Sequence, residues 1–195
     1  MYSKETIEGF LNELASEQSI PGGGSAAALS GALNAAVISF ISNLTIGKEK
    51  YKDVEDEAKA ILAESNQLKK EMLIMIDQDS QILSQILDSY KAGDQVKVKS
   101  VCSDAVEFSM DMTKKALRLM ELTLAISKIG NRMLASDFEV AAYIGDAAVG
   151  SAVANIKINL KSLDDNEYKE NVKKEYKVLK AKSAQLKEEI IALAN

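Results

Sequence analysis

Apolar residues recur along this chain at alternating steps of three and four, the spacing of one face of an α-helix. The plainest run is Val54, Ala58, Ile61, Ser65, Leu68, Met72, Met75, Asp79, Ile82 and Ile86. A second run, Val172, Tyr176, Leu179, Ser183, Leu186, Ile190 and Leu193, has Lys and Glu over its other faces and reads as an amphipathic surface helix. The pattern predicts helices over 4–17, 25–46, 51–91, 95–129, 137–164 and 166–194. Breaks fall at Ile20-Pro21-Gly22-Gly23-Gly24, at Ala92-Gly93-Asp94, between Gly130 and Ser136, and at Asp164-Asp165-Asn166. Proline occurs once, whereas a sheet protein of this length needs turn residues about every 8–12 positions. The fold class is therefore all-α: a single domain over residues 1–195, a bundle of about six helices with long antiparallel members.

The helix predicted over 25–46 stands apart. No charged residue occurs between Glu17 and Lys48, so Ala26 to Ile46 is long enough to span a bilayer. Ser30, Asn34, Ser39, Ser42, Asn43 and Thr45 recur through it and no clear basic anchor flanks it, which favours a buried helix and no membrane partner. Ala28, Gly31 (or Ala32), Ala35 and Ser39 form a stripe of small side chains that lets a second backbone approach closely. That second backbone belongs either to the same monomer or to a dimer partner.

Composition narrows the chemistry. A net charge of -5 gives no basic face for nucleic acid. Cys102 is the only cysteine, which excludes an internal disulfide and fits a reducing, cytoplasmic setting. Its apolar neighbours mark it as buried filler. No recognisable secretion signal opens the chain. There is no histidine, which removes His-based triads, most zinc sites and His-containing di-iron bundles, and no metal site is expected. Proton chemistry must then fall to Asp, Glu, Lys, Tyr or Cys.

Polar residues interrupt the apolar stripes at a few positions. Asp79 lies within the long seam, one turn from Met75 and Ile82. A buried, unpaired carboxylate costs several kcal/mol, so such a residue is paired, neutralised or functional unless it sits at the solvent edge of the stripe. Asp77 points to a different side. Asn155 and Asn159 share a helix face, where two amides either grip a polar heterocycle or satisfy nearby backbone. Arg132, one of two arginines, follows Asn131 in a loop and is either a carboxylate grip or an exposed charge. Ser136 or Asp137 is placed to cap the next helix. Gly22, Gly23, Gly24 and Ser25 open a helix whose free N–H groups suit an anion or carbonyl oxygen, although most such glycine runs are turns.

In order along the chain, Pro21-Gly22-Gly23-Gly24-Ser25-Ala26-Ala27-Ala28 and Leu44-Thr45-Ile46-Gly47-Lys48 resemble the signature of the cyclodeaminase/cyclohydrolase family. The likeness continues through Ile76-Asp77-Gln78-Asp79, Gly130-Asn131, Ser136-Asp137, Val140-Ala141-Ala142 and Asn155-Ile156-Lys157-Ile158-Asn159-Leu160. The resemblance implies a folate substrate and one of two reactions. One is hydrolysis of 5,10-methenyltetrahydrofolate to 10-formyltetrahydrofolate, which a chain without a formiminotransferase half favours. The other is release of ammonia from 5-formiminotetrahydrofolate. It further implies a homodimer with folate near the interface. A non-catalytic helical interaction protein is the alternative from another class. Catalysis is assigned first to Asp79 and then Asp77, with Lys48 assisting proton transfer or holding the glutamate tail. Substrate contacts are assigned to Gly22, Gly23, Gly24, Ser25, Asn131, Arg132, Ser136, Asp137, Asn155 and Asn159. Hydration of an amidinium needs no cofactor.

Overall fold

The computed structural model describes residues 1–195 and contains six α-helices and no strand. They are α1 (Ile7–Leu14), α2 (Gly23–Asn43), α3 (Glu55–Lys91), α4 (Gln95–Ile129), α5 (Ala135–Asn159) and α6 (Asn166–Ala194). Short 3-10 turns occupy Tyr2–Lys4, Glu49–Val54, Arg132–Leu134 and Leu160–Ser162. α2 packs against α3, α4 and α5, while α6 lies along α4 and α5.

The long seam of α3 holds its register. Ala58, Ile61, Ser65, Leu68, Met72 and Met75 are all buried, and the face then opens gradually at Asp79, Ile82 and Ile86. The ends of α3 and α4 follow their local chemistry. Gly93 takes φ 67°, a conformation that favours glycine, and turns the chain after Ala92. Asp94 then caps α4 by accepting from the Lys97 N–H at 3.0 Å. Asp165 does the same for α6, accepting from Tyr168 N–H at 2.9 Å.

The stripe of small residues on α2 serves packing within the chain. Ala28 and Ala35 are wholly buried, and a Cβ on Gly31 would come within 2.9 Å of the Met72 sulfur on α3. α2 also carries hydroxyls into the core without needing partners for them. Ser30, Ser39 and Ser42, with Thr45 in the turn just beyond its end, each donate at 2.9 Å to the carbonyl four residues earlier. Asn34 reaches across to α5 and donates to the Ala141 carbonyl at 2.8 Å. Around this helix Ile38, Ile41, Met72, Leu119, Met120, Ile126 and Phe138 are fully buried. Each such side chain contributes about 1.5–3 kcal/mol. α2 is the one helix long and apolar enough to cross a membrane, and here most of it is enclosed by its neighbours.

Several boundaries differ from the sequence pattern: α1 is confined to Ile7–Leu14, α2 stops at Asn43, α3 starts at Glu55 after a 3-10 segment, and α5 gives way to a 3-10 turn after Asn159. α2 begins at Gly23, so two of the three glycines lie inside the helix and not in the break before it. α5 begins at Ala135, with Leu134 at the capping position and no side-chain cap. Ser136 and Asp137 thus sit in its first turn and neither caps it, although the Asp137 charge still favours that end of the helix.

Candidate active site

Where α2 starts, its first turn meets the middle of α3 and the far end of α5. These elements and α4 enclose a cavity of about 290 Å³. Gly23 and Gly24 form one wall, Asp79, Ile82, Leu83 and Ile86 a second, and Cys102, Ala105, Phe108 and Ser109 of α4 a third. Asn155, Ile158 and Asn159 complete it from α5, and Lys161, Ser162 and Tyr90 stand at its rim.

Asp79 is the acid of this cavity. Its carboxylate lies so close over Gly24 that a Cβ there would be 1.8 Å from Oδ1 and 2.5 Å from Cγ. Only glycine lets the first turn of α2 come this near. Ser25, wholly buried, donates its hydroxyl to Asp79 Oδ2 at 2.8 Å. Burial pushes the Asp79 carboxyl above its ordinary value of 3.8, and the Ser25 hydroxyl and backbone N–H offset part of that rise. No cation takes part in this balance. A carboxylate of this kind holds a proton more readily than an exposed one and still releases it.

Both asparagines of α5 face the cavity, and their orientation follows from the helix. Asn155 Nδ2 donates to the Ser151 carbonyl at 3.0 Å and Asn159 Nδ2 to the Asn155 carbonyl at 2.9 Å. Since carbonyls only accept, one N–H of each amide is committed to the helix, which leaves each Oδ1 to accept from a ligand and the second N–H to donate. A Cβ on Gly23 would stand 3.9 Å from Asn155 Oδ1, so that oxygen is beside the start of α2.

The other assigned residues lie elsewhere. Asp77 accepts from the Ser3 hydroxyl and, at 3.3 Å, from the Ser3 N–H; it fastens the N-terminal turn and does not line the cavity. Gly22 is the residue before α2, packed near Leu83. Lys48 is exposed beyond the opposite end of α2, which at 1.5 Å per residue is roughly 30 Å from Asp79 along the helix. Asn131 works at that same end. Its N–H donates to Thr45 Oγ1 at 3.0 Å, its amide to the Leu44 carbonyl at 3.2 Å, and its Oδ1 accepts from Met133 N–H at 3.1 Å. Arg132 donates to the Leu193 carbonyl at 2.6 Å and lies 5.8 Å from the Phe138 ring, so it secures the end of α6. Ser136 and Asp137, in the first turn of α5, belong to this distal end as well. The motif pieces that look consecutive in sequence thus divide between the two ends of α2.

Several cavity residues carry no signal of their own in the sequence. Lys161, Tyr90 and Ser109 read as ordinary helix or turn residues, and Cys102 is buried as expected but forms part of the cavity wall. The spacing of Cys102, Ala105, Phe108 and Ser109 on one face of α4 is the pattern that marks them as a group.

A helical bundle that brings a carboxylate without a cationic partner, two amide oxygens and a helix N-terminus to one largely apolar cavity can hold a polar ligand and exchange a proton with it. The particular family follows from comparison. Residues 6–178 match the formiminotransferase-cyclodeaminase family, and this chain belongs to it. It is 35% identical to the methenyltetrahydrofolate cyclohydrolase of Methylorubrum extorquens, over 97% of this chain and 96% of that one. It is 26% identical to the formimidoyltransferase-cyclodeaminase of Gallus gallus over 82% of this chain, covering 31% of that larger protein. The fold is that of the crystal structure of formiminotetrahydrofolate cyclodeaminase from Thermotoga maritima, with a TM-score of 0.94 at 22% identity over 99% of this chain and 97% of that one.

Proposed function

We propose that this chain hydrolyses 5,10-methenyltetrahydrofolate to 10-formyltetrahydrofolate, with Asp79 as the proton-transfer group. The observation that carries the reading is Asp79 itself, a carboxyl of raised proton affinity with no cationic partner, set in the wall of a cavity open at one side. The substrate supplies the missing charge, since its amidinium is a cation. Water adds to the carbon between N5 and N10 while Asp79 accepts one of its protons. The same proton then passes to N5 and the carbon–N5 bond breaks; as the C=O of the formyl group forms on N10, the remaining hydroxyl proton leaves to Asp79 and then to solvent, which balances the cation consumed. The Asn155 and Asn159 oxygens suit N–H donors of the pterin, Phe108, Ile82 and Leu83 suit its apolar faces, and Lys161 at the rim suits the glutamate carboxylates. The hydration calls for no metal or redox cofactor. The greater identity to the cyclohydrolase, over nearly its full length, favours this reading over the cyclodeaminase one. The retained cavity disfavours a purely non-catalytic role.

The test is loss of the methenyltetrahydrofolate absorbance with purified protein, compared with ammonia release from 5-formiminotetrahydrofolate. Hydrolysis in the first assay that Asp79→Asn abolishes is the expected result. Ammonia release without hydrolysis reverses the order of the two reactions, and wild-type rates in Asp79→Asn remove Asp79 from the mechanism.

A homodimer belongs to the same proposal, in a cytoplasmic setting that suits the lone reduced Cys102. The outward side of α2 presents Leu33, Phe40 and Leu44, and that of α5 presents Val140, Tyr143 and Ile158, all exposed. A two-fold axis across the middle of α2, at Leu33, would set the Lys48 end of one chain against the Asp79 end of the other. Mixing Asp79→Asn with Lys48→Ala chains then restores part of the activity that each lacks alone. Sedimentation as a monomer at micromolar concentration counts against this arrangement.

A further inference from the structure

Behind Asp79 lies a small closed group of hydroxyls for which binding a substrate gives no reason. Ser25 Oγ is 2.8 Å from Asp79 Oδ2, 3.2 Å from the Ile76 carbonyl and 3.2 Å from Ser80 Oγ. Ser80 Oγ is also 3.2 Å from the Ile76 carbonyl. Ser25 is wholly buried and Ser80 nearly so, so neither hydroxyl can turn to water for a partner. We propose that Ser25, backed by Ser80 and the Ile76 carbonyl, is a turning donor that keeps the Asp79 carboxyl hydrogen-bonded whether or not it holds a proton. Ser25 is thereby a positioning residue for the proton transfer described above, and the proposal rests on that role for Asp79.

The two arrangements conserve every proton. With Asp79 ionised, Ser25 O–H donates to Oδ2 and Ser80 O–H donates to the Ile76 carbonyl. When Oδ2 takes up a proton, its new O–H donates to Ser25 Oγ. Ser25 O–H then swings to the Ile76 carbonyl, and Ser80 O–H turns to the second lone pair of Ser25 Oγ. If Oδ1 takes the proton instead, Ser25 keeps donating to Oδ2. No buried polar atom is orphaned in any of these states, so the carboxyl is not driven to move as it changes charge. A single apolar residue at position 25 would leave the ionised form short of its hydroxyl donor.

Few other groups compete for control of this carboxyl. The titratable residues on the walls around it are Tyr90 of α3, Cys102 of α4 and Lys161 after α5. α2 brings none, because no charged residue lies between Glu17 and Lys48, and Asp77 is turned away onto Ser3.

The experiment is a titration of carboxyl-labelled aspartate by carbon-13 NMR, with the Asp79 signal assigned by its loss in Asp79→Asn. A hydrogen bond to a charged group is worth about 1.5–3 kcal/mol, so Ser25→Ala is expected to raise the Asp79 midpoint by roughly one to two pH units. Ser80→Ala leaves the direct donor in place and should give less than half that shift. The acid limb of kcat/KM should move with the midpoint. An unmoved midpoint in folded Ser25→Ala overturns the proposal, as does an equal shift in both variants. Should Ser25→Ala fail to fold, the nearly isosteric Ser25→Cys, a weak donor, is read the same way. Midpoints that move as stated in a protein inactive on methenyltetrahydrofolate would leave the hydroxyl network standing and dismiss the functional reading. Activity with unmoved midpoints would do the reverse.

Discussion

Adding one methyl group at Gly24 probes the contact on which the cavity depends. The new Cβ would lie 1.8 Å from Asp79 Oδ1, and ordinary contact begins near 3.4 Å, so the carboxylate must retreat by about 1.6 Å. It cannot do so while keeping the 2.8 Å bond from Ser25. Misplacing a reacting group by about 1 Å costs roughly 100-fold, so Gly24→Ala should lower kcat by at least that factor. Overpacking should also cost about 1–3 kcal/mol, against a gain of about 0.5 kcal/mol from replacing glycine in a helix. The three atoms closest to the new methyl all belong to the Asp79 carboxyl group, and Asp79→Ala removes all three. In that background Gly24→Ala should therefore be neutral or slightly stabilising. Urea denaturation of the four proteins, followed by helical circular dichroism, reads the coupling, expected to be at least about 1 kcal/mol. A penalty that is the same with and without Asp79, or full activity in Gly24→Ala, would refute this account of the contact.

Other expectations follow from the same geometry. Because burial raises the Asp79 carboxyl above 3.8, the folded protein binds more protons than the unfolded one just above that pH, and stability falls as pH rises through the window. Asp79→Asn should thus be at least as stable as wild type at neutral pH, with the difference vanishing near pH 3; lower stability of the variant at pH 7 would contradict this. Asp77→Asn should retain wild-type kcat and lose only the tie to Ser3, seen as earlier proteolysis of the first few residues; a 100-fold loss of kcat would return Asp77 to the mechanism. Lys161→Gln should raise KM for the folate several-fold with kcat nearly unchanged, and a fall in kcat at constant KM would refute a binding role.

The helices were readable in the sequence because their apolar period is strict. The α3 seam is buried from Ala58 to Met75, about five turns, and lines the cavity beyond that, where Asp79 is conspicuous as the one charge within it. Asn155 and Asn159 were visible for the same reason, being two amides on one face. What the pattern could not carry is the distance between motifs. Lys48, Asn131, Arg132, Ser136 and Asp137 follow the glycine run and precede the asparagine pair in the same order as a site would use them. The length of α2 nevertheless separates the two groups, and local hydrogen bonds account for Asn131 and Arg132 at the distal end. Lys161 gives no signal in the sequence, because a lysine in a turn is unremarkable until the turn is known to border a cavity. The spacing of Asp77 from Asp79 gives no hint of its partner Ser3, which lies 74 residues away.

The hydroxyl ladder of α2 bears on how this chain is made. Each serine or threonine in it bonds back to its own backbone, which hides polarity from the surroundings and leaves a segment of mean hydropathy 1.5 with no charge for 30 residues. As it leaves the ribosome, before α3 exists to cover it, such a segment looks to the insertion machinery like something destined for lipid. Its later neighbours make it a core helix, so its fate in the growing chain depends on α3 arriving to cover it.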